Sequence, residues 1–416
     1  MTQPKRNPLR DLRGVSRMAI DATLGITDLV EALHARIAQT PTRLGGPVGL
    51  AVRNVTGHVY RAVRGVTRAV GGGLDAVLGQ LAPLVADVPD TPSREALVAA
   101  LNGVLGDYLA RTANPLAIGM RLRRGGVPLD LERDALAARV TRPSPTLVVA
   151  VHGLCMNDLQ WSRAGHDHAE ALARDLGGTA FYLRYNSGLH VSTNGRELAA
   201  LLEALVDAWP VPVARIVVLG HSMGGLVARS AAHYGGLASH RWRTVLESLV
   251  FLGTPHQGSP LERGGHGINL LLDSLPFATP LGRLGRVRSA GITDLRHGSV
   301  LDDDWESRDR FARGGGVRHP LPLPADVACH AIAASLAATA REDGRGVRGD
   351  GLVPVASALG LHRDPRLALA IPAQHRWIAT STGHLDLLSS PAVYERLRDW
   401  LVRPSDDAGG TRLPPR

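Results

Sequence analysis

Short apolar runs alternate with amphipathic stretches along the chain from residue 143 onward. The runs that are short and apolar enough for buried strands are Thr146–Val151, Ala180–Tyr185, Arg215–Leu219, Ser248–Leu252, Val327–Ile332 and Trp377–Thr380. Apolar residues at helical spacing predict a helix over Gly195–Trp209, and shorter patterns predict helices over Ala169–Leu176 and Pro391–Val402. Strands that alternate with helices are typical of a mostly parallel sheet covered by helices, so the sequence predicts an α/β fold.

The same pattern divides the chain into regions. Residues 1–142 are rich in helical patterns and poor in strand patterns, and we predict a helical N-terminal extension there. Residues 143–403 form the predicted α/β domain, with an insertion at about 260–325, and residues 404–416 are predicted to be disordered. The insertion is apolar at Ile268–Leu272, which suits either a lid over an acyl-chain pocket or an ordinary buried helix.

A Gly-x-Ser-x-Gly motif follows the apolar run Val217–Leu219. It reads Gly-His-Ser-Met-Gly over residues 220–224, and a helical pattern continues beyond it. A strand that enters such a motif and a helix that leaves it form the turn known as a nucleophile elbow. Side chains two positions before and after the serine would clash in this turn, which explains the glycines at both places. Ser222 is therefore the predicted nucleophile.

A second strand candidate ends in His152-Gly153-Leu154. Glycine directly after a strand lets the backbone turn so that the next N–H group faces the nucleophile. We therefore predict that Leu154 and Met223 donate their backbone N–H groups to an oxyanion. His152 is predicted to be a histidine packed under this loop, without a catalytic role.

Two later turns supply an acid and a base. Asp350 lies in a tight Gly-Asp-Gly turn before the apolar pair Leu352 and Val353, and His384 follows the last strand candidate. In a catalytic triad the histidine takes the proton of the serine, and the carboxylate orients the imidazole ring. Asp350 is chosen over Asp343 because it alone lies in such a turn. Ser222, Asp350 and His384 are the predicted triad.

Together these motifs resemble those of bacterial lipases and esterases of the α/β-hydrolase fold, which are also related to GPI inositol deacylases. The stretches that carry the resemblance are 151–154, 220–225, 253–259, 349–354 and 383–386, within residues 143–403. The resemblance implies that fold, with a mostly parallel central sheet and the triad in the order serine, aspartate, histidine. It also implies that Gly253–Ser259 shapes the pocket.

The implied activity is hydrolysis of a carboxylic ester, including an acyl lipid, through an acyl-serine intermediate. An acyltransferase or thioesterase using the same triad stays open, as does a non-catalytic hydrolase-fold module that binds lipid or protein. Some relatives bind calcium with the aspartate two positions after the histidine, here Asp386, but no convincing match exists for the other ligands. Asp386 is predicted to be a helix N-cap. We expect neither a metal nor a cofactor.

The net charge of +9 lies mainly in residues 1–70, which hold eleven basic and four acidic side chains. No nucleic-acid reading module accompanies this charge, so nucleic acid is not an expected partner. Valines at spacings of three and four over residues 48–70, with arginines opposite, favour a helix that packs internally, or one that contacts a membrane surface peripherally. Two cysteines and the lack of a secretory or membrane-spanning segment favour a cytoplasmic protein. The oligomeric state is left open.

Overall fold

The computed structural model describes residues 92–111, 113–259, 289–306, 318–339 and 349–402. Its helices are α1 (Pro92–Arg111), α2 (Arg133–Arg139), α3 (His168–Asp175), α4 (Val191–Ala208), α5 (Met223–Leu237), α6 (Ala290–His297), α7 (Val355–Ala358) and α8 (Pro391–Leu401). Its strands are β1 (Arg121–Arg124), β2 (Val127–Pro128), β3 (Thr146–Val151), β4 (Thr179–Arg184), β5 (Arg215–His221), β6 (Leu246–Leu252), β7 (Ala328–Ala334) and β8 (Arg376–Ala379).

Within the described residues these strands form one eight-stranded sheet in the order β2-β1-β4-β3-β5-β6-β7-β8. Strand β1 runs antiparallel to both of its neighbours, and all pairs from β4 to β8 are parallel. The carboxyl ends of β3, β5, β6 and β7 therefore meet at one edge, where α/β proteins place their ligands. This sheet, with a serine turn at the end of β5, is the α/β-hydrolase fold that the motifs predict.

The parallel strands are buried on both faces. Every residue of β4 is buried, and in β3 and β5 only the first residue is partly exposed. Strands covered on both sides appear in sequence as continuous apolar runs, which is why they were recognisable. Helices α4 and α5 pack against each other closely: a Cβ atom on Gly195 would lie 2.3 Å from Ser230 Oγ. Glycine at this position permits the approach.

Strands β1 and β2 lie in the region predicted to be helical, so that prediction was incomplete. Strand β1 offers a single apolar side chain, Leu122, between arginines, and shows no alternation to detect. Pairing with β4 holds the strand, and Arg123 donates to the buried Asp158 carboxylate at 2.9 Å. These partners are distant in sequence, and periodicity cannot reveal them. The predicted domain limits at residues 142 and 403 stay predictions.

Helix α4 begins at Val191, four residues before its predicted start at Gly195. The Asp294 carboxylate accepts from Val191 N at 2.8 Å, so a side chain 103 residues away satisfies the start of the helix. The other predicted strands and helices are confirmed to within two residues at each end.

The described residues fall into two units: one holds 92–98 and the described part of 108–117, and the other holds 99–107 and the described residues from 118 onward. The site lies in the second unit. Residues 48–70 and 404–416, and most of the predicted insertion at about 260–325, lie outside the described residues. Helix α6 and the turn Asp302–Asp304 are described parts of that insertion. Over the ranges the structure describes, no helix combines the length and apolarity needed to cross a membrane.

Candidate active site

Ser222 lies between the end of β5 and the first residue of α5. Its backbone has φ 53° and ψ −124°, a conformation that side-chain-bearing residues rarely adopt. Such a conformation costs about 1–3 kcal/mol and persists only where the surroundings enforce it. Here Ser222 N donates to Leu252 O at 2.8 Å, and Gly225 N donates to Ser222 O at 3.1 Å. The turn presents a serine between a strand and a helix, as the motif predicts.

Close backbone packing explains the glycines of this turn. A Cβ atom on Gly220 would lie 2.5 Å from Gly225 Cα, and one on Gly224 would lie 2.1 Å from Val151 O. A Cβ atom on Gly225 would lie 2.0 Å from the hydroxyl oxygen of Thr254, which belongs to the 253–259 stretch. That stretch therefore packs directly against the start of α5.

His384 and Asp350 form a buried pair. The distance between His384 Nδ1 and Asp350 Oδ2 is 2.7 Å, and both side chains are nearly inaccessible to solvent. The other carboxylate oxygen, Oδ1, accepts from Leu352 N at 2.9 Å and from Val353 N at 2.8 Å. Burial by itself raises the pKa of Asp350, but His384 and the two backbone amides outweigh it, and the pKa lies below its ordinary value. The carboxylate is therefore ionised at neutral pH.

The structure brings His384 to the serine turn through two neighbours. His221, the residue before Ser222, places its Nε2 atom 3.1 Å from His384 O, and the two ring centroids are 4.8 Å apart. On the other side, a Cβ atom on Gly253 would lie 3.1 Å from His384 Cε1. Gly253 directly follows Leu252, whose carbonyl accepts from Ser222 N. All three predicted triad residues thus lie at the carboxyl edge of the sheet.

Two backbone N–H groups beside the serine form no hydrogen bond with the described residues. Gly153, two residues after the end of β3, lies close to the serine turn. A Cβ atom on it would lie 3.1 Å from Ser222 Cβ. Within the described ranges, neither Leu154 N nor Met223 N donates to a protein acceptor. The N-terminus of a helix such as α5 also favours negative charge. These are the two groups that the sequence predicts as oxyanion donors.

Ser187 is a residue of this site that the sequence did not reveal. Its hydroxyl oxygen accepts from Cys155 N at 3.0 Å, and Cys155 has a positive φ of 60°. This bond fixes the loop directly after Leu154. No local pattern marks Ser187, because its partner lies 32 residues away. Burial raises the pKa of the Cys155 thiol to about 12, which makes it a poor nucleophile.

His152 lies fully buried beneath the same loop, as predicted. Its ring stacks on Tyr185 with centroids 4.3 Å apart, and its Nδ1 atom is 2.8 Å from Gly153 O. Burial lowers the pKa of His152 to about 4, so the imidazole is neutral at physiological pH. A neutral, stacked histidine supports the loop by packing.

Asp386 is not the helix N-cap that was predicted. It is the first residue of a short 3₁₀ turn, Asp386–Leu388, and its carboxylate accepts from Gly383 N at 3.1 Å. The side chain therefore closes the turn around His384 instead of capping a longer helix. Among the residues described, no group of three or more histidine, cysteine or carboxylate side chains has the arrangement of a metal site.

Residues 144–320, under half of the chain, match a family model described as the PGAP1-like alpha/beta domain. Similar solved structures include the mature lipase BlEst2 of Bacillus licheniformis (18% identity over 63% of this chain and 95% of that chain, TM-score 0.39). They also include a lipase-esterase related protein of Clostridium acetobutylicum (14% identity over 62% of this chain and 94% of that chain, TM-score 0.34). A thermophilic esterase is similar as well (16% identity over 62% of this chain and 90% of that chain, TM-score 0.34). No curated protein sequence matches the chain significantly. The fold assignment rests on the sheet order and the serine turn, with which the family match agrees.

Proposed function

We propose that the chain is a serine hydrolase that cleaves carboxylic esters through an acyl-serine intermediate. The main support for this proposal is the strained Ser222 turn beside the buried His384–Asp350 pair. A serine in a strained turn, with an oriented imidazole at the same edge of the sheet, is typical of an activated nucleophile. The backbone N–H groups of Leu154 and Met223, which donate to no described residue, could stabilise a developing negative charge.

In the acylation step, Ser222 Oγ attacks the acyl carbon while His384 Nε2 takes the hydroxyl proton. The carbonyl oxygen becomes an oxyanion and accepts hydrogen bonds from Leu154 N and Met223 N. Collapse of this intermediate breaks the bond to the alcohol oxygen, which receives the proton from His384. The products of the step are the free alcohol and an ester between the acyl group and Ser222.

In the deacylation step, a water molecule replaces the alcohol. His384 takes a proton from the water as its oxygen attacks the acyl-serine carbon, and returns it to Ser222 Oγ as the acid is released. Asp350 stays ionised throughout, which its lowered pKa supports. Its role is to hold the proton of His384 on Nδ1 and to stabilise the imidazolium that forms in each step.

A fluorophosphonate probe and a panel of p-nitrophenyl esters of increasing acyl length test the proposal. We expect the wild type to be labelled and to hydrolyse at least one ester, and Ser222→Ala to lose both properties while remaining folded. Ser239→Ala is the matched control, because Ser239 also has a positive φ but is exposed at the far end of α5. Ester hydrolysis by a folded, purified Ser222→Ala protein would contradict the mechanism. Lack of labelling of the wild type would favour a non-catalytic binding module.

A further inference from the structure

His221 is the last residue of β5 and directly precedes the proposed nucleophile. Its side chain is fully buried, and its Nε2 atom lies 3.1 Å from His384 O, across 163 residues of sequence. A carbonyl oxygen can only accept a hydrogen bond, so His221 must carry a proton on Nε2. The residue before Ser222 thus donates to the main chain of the proposed base.

This bond has no substitute in the described part of the chain. No other group there donates to the His384 carbonyl, and His384 itself is buried. Loss of the donor would leave a buried acceptor unsatisfied, which is costly enough to move a short loop. The loop in question carries the His384 imidazole.

The other ring nitrogen of His221 has no such partner. Nδ1 is buried and receives no hydrogen bond from the described residues, and it faces Gly153, on which a Cβ atom would lie 3.3 Å away. Burial lowers the pKa of His221 to about 3, so the ring is neutral at any pH at which the site would work. One donated bond, from Nε2, is therefore the polar contact that this side chain supplies.

We propose that His221 is a positioning residue, whose Nε2–H group holds the main chain of His384 so that the imidazole stays between Asp350 and Ser222. Asp350 fixes the ring at Nδ1, and His221 fixes the backbone that carries the ring. Because His221 and Ser222 are neighbours in the chain, the hydrogen bond from His221 fixes the main chain of the proposed base relative to the proposed nucleophile. The inference rests on the proposed function, since it assigns His384 the role of base.

Two substitutions separate positioning from packing. His221→Leu removes the donor and keeps an apolar side chain in the buried site. His221→Gln places an N–H donor at about the distance of Nε2 from the main chain. It loses no other hydrogen bond, because Nδ1 of His221 has no partner among the described residues. His233→Leu on α5 is the control, because His233 is partly exposed and lies outside the site.

The readouts are thermal unfolding, steady-state ester hydrolysis, and NMR of histidine-labelled protein, which follows the proton shared by His384 Nδ1 and Asp350. We expect His221→Leu to lower kcat roughly 10- to 100-fold with KM within about twofold, since small misplacements of reacting groups have effects of this size. The His384 proton signal should shift or broaden, and His221→Gln should recover most of the rate and the signal.

A folded His221→Leu protein with an unchanged His384 signal would overturn the inference, whatever its activity. Equal losses of rate in the leucine and glutamine variants would also overturn it, because they would assign the effect to packing. If the wild type hydrolyses no ester, the proposed function fails, and the NMR comparison still decides whether His221 positions His384.

Discussion

Asparagine in place of Asp350 changes the chemistry of the site with almost no change of shape. In the native chain Asp350 Oδ1 accepts from Leu352 N and Val353 N, and Oδ2 faces His384 Nδ1 at 2.7 Å. The amide oxygen of asparagine can keep both backbone bonds, so its NH₂ group takes the place of Oδ2. An NH₂ group only donates, and His384 Nδ1 must then accept and lose its proton to Nε2.

A ring protonated on Nε2 cannot take a proton from Ser222. The expected consequence for Asp350→Asn is a fall in kcat of about 10⁴-fold, the size of effect that the wrong tautomer produces in a serine triad. At about 1.36 kcal/mol for each factor of ten, this corresponds to about 5.4 kcal/mol of lost transition-state stabilisation. Binding of the ester should change little, because neither atom of the pair contacts substrate in the proposed mechanism.

The assay is steady-state hydrolysis of a short p-nitrophenyl ester, with thermal unfolding to show that each variant is folded. Asp364→Asn is the control, since Asp364 lies at the surface and pairs with Arg366 two residues later. We expect its kcat to stay within about twofold of the wild type, as exposed ion pairs contribute little. A folded Asp350→Asn protein that keeps more than about a tenth of the wild-type kcat would refute the tautomer argument.

Three further outcomes are expected. Gly224→Ala should lower the melting temperature sharply, because the new Cβ atom would lie 2.1 Å from Val151 O. Gly236→Ala in the same helix is the control: its Cβ atom would lie 3.9 Å from Arg243 Nε, and the change should be neutral or stabilising by about 0.5–1 kcal/mol. The lowered pKa of Asp350 means that its ionised form stabilises the fold above the ordinary carboxyl pKa of about 3.9 and that this stabilisation disappears as pH falls through the folded pKa, so Asp350→Asn should flatten the acid side of a stability–pH profile. The full chain should not sediment with anionic vesicles at low salt if the valines of residues 48–70 pack internally, and salt-sensitive binding would favour the membrane interpretation instead.

Ser222 and Asp350 could be predicted from sequence because each lies in a turn whose glycines stand within a few consecutive residues. The glycines at 220 and 224 exclude Cβ atoms that would lie within 2.5 Å of backbone atoms. Gly351, next to Asp350, has a φ of 97°, which side-chain-bearing residues avoid. The clash at Gly224 is with Val151 O of β3, but the glycines themselves lie within a few consecutive residues, so their pattern can be recognised before any fold is known. The apolar strands were legible for a similar reason, since burial on both faces demands an unbroken run.

The residues that support the site obey no local rule. Ser187 acquires a role because the sheet order brings Cys155 N to its hydroxyl, and His221 because the same order brings the His384 carbonyl to its ring. No local pattern reveals the partners of these two side chains, since the two bonds span 32 and 163 residues. Local strain thus marks where the chemistry is, and long-range hydrogen bonds mark what keeps it aligned. Substitutions should separate along this line: at Gly224 stability falls first, whereas at His221 turnover falls while the fold persists.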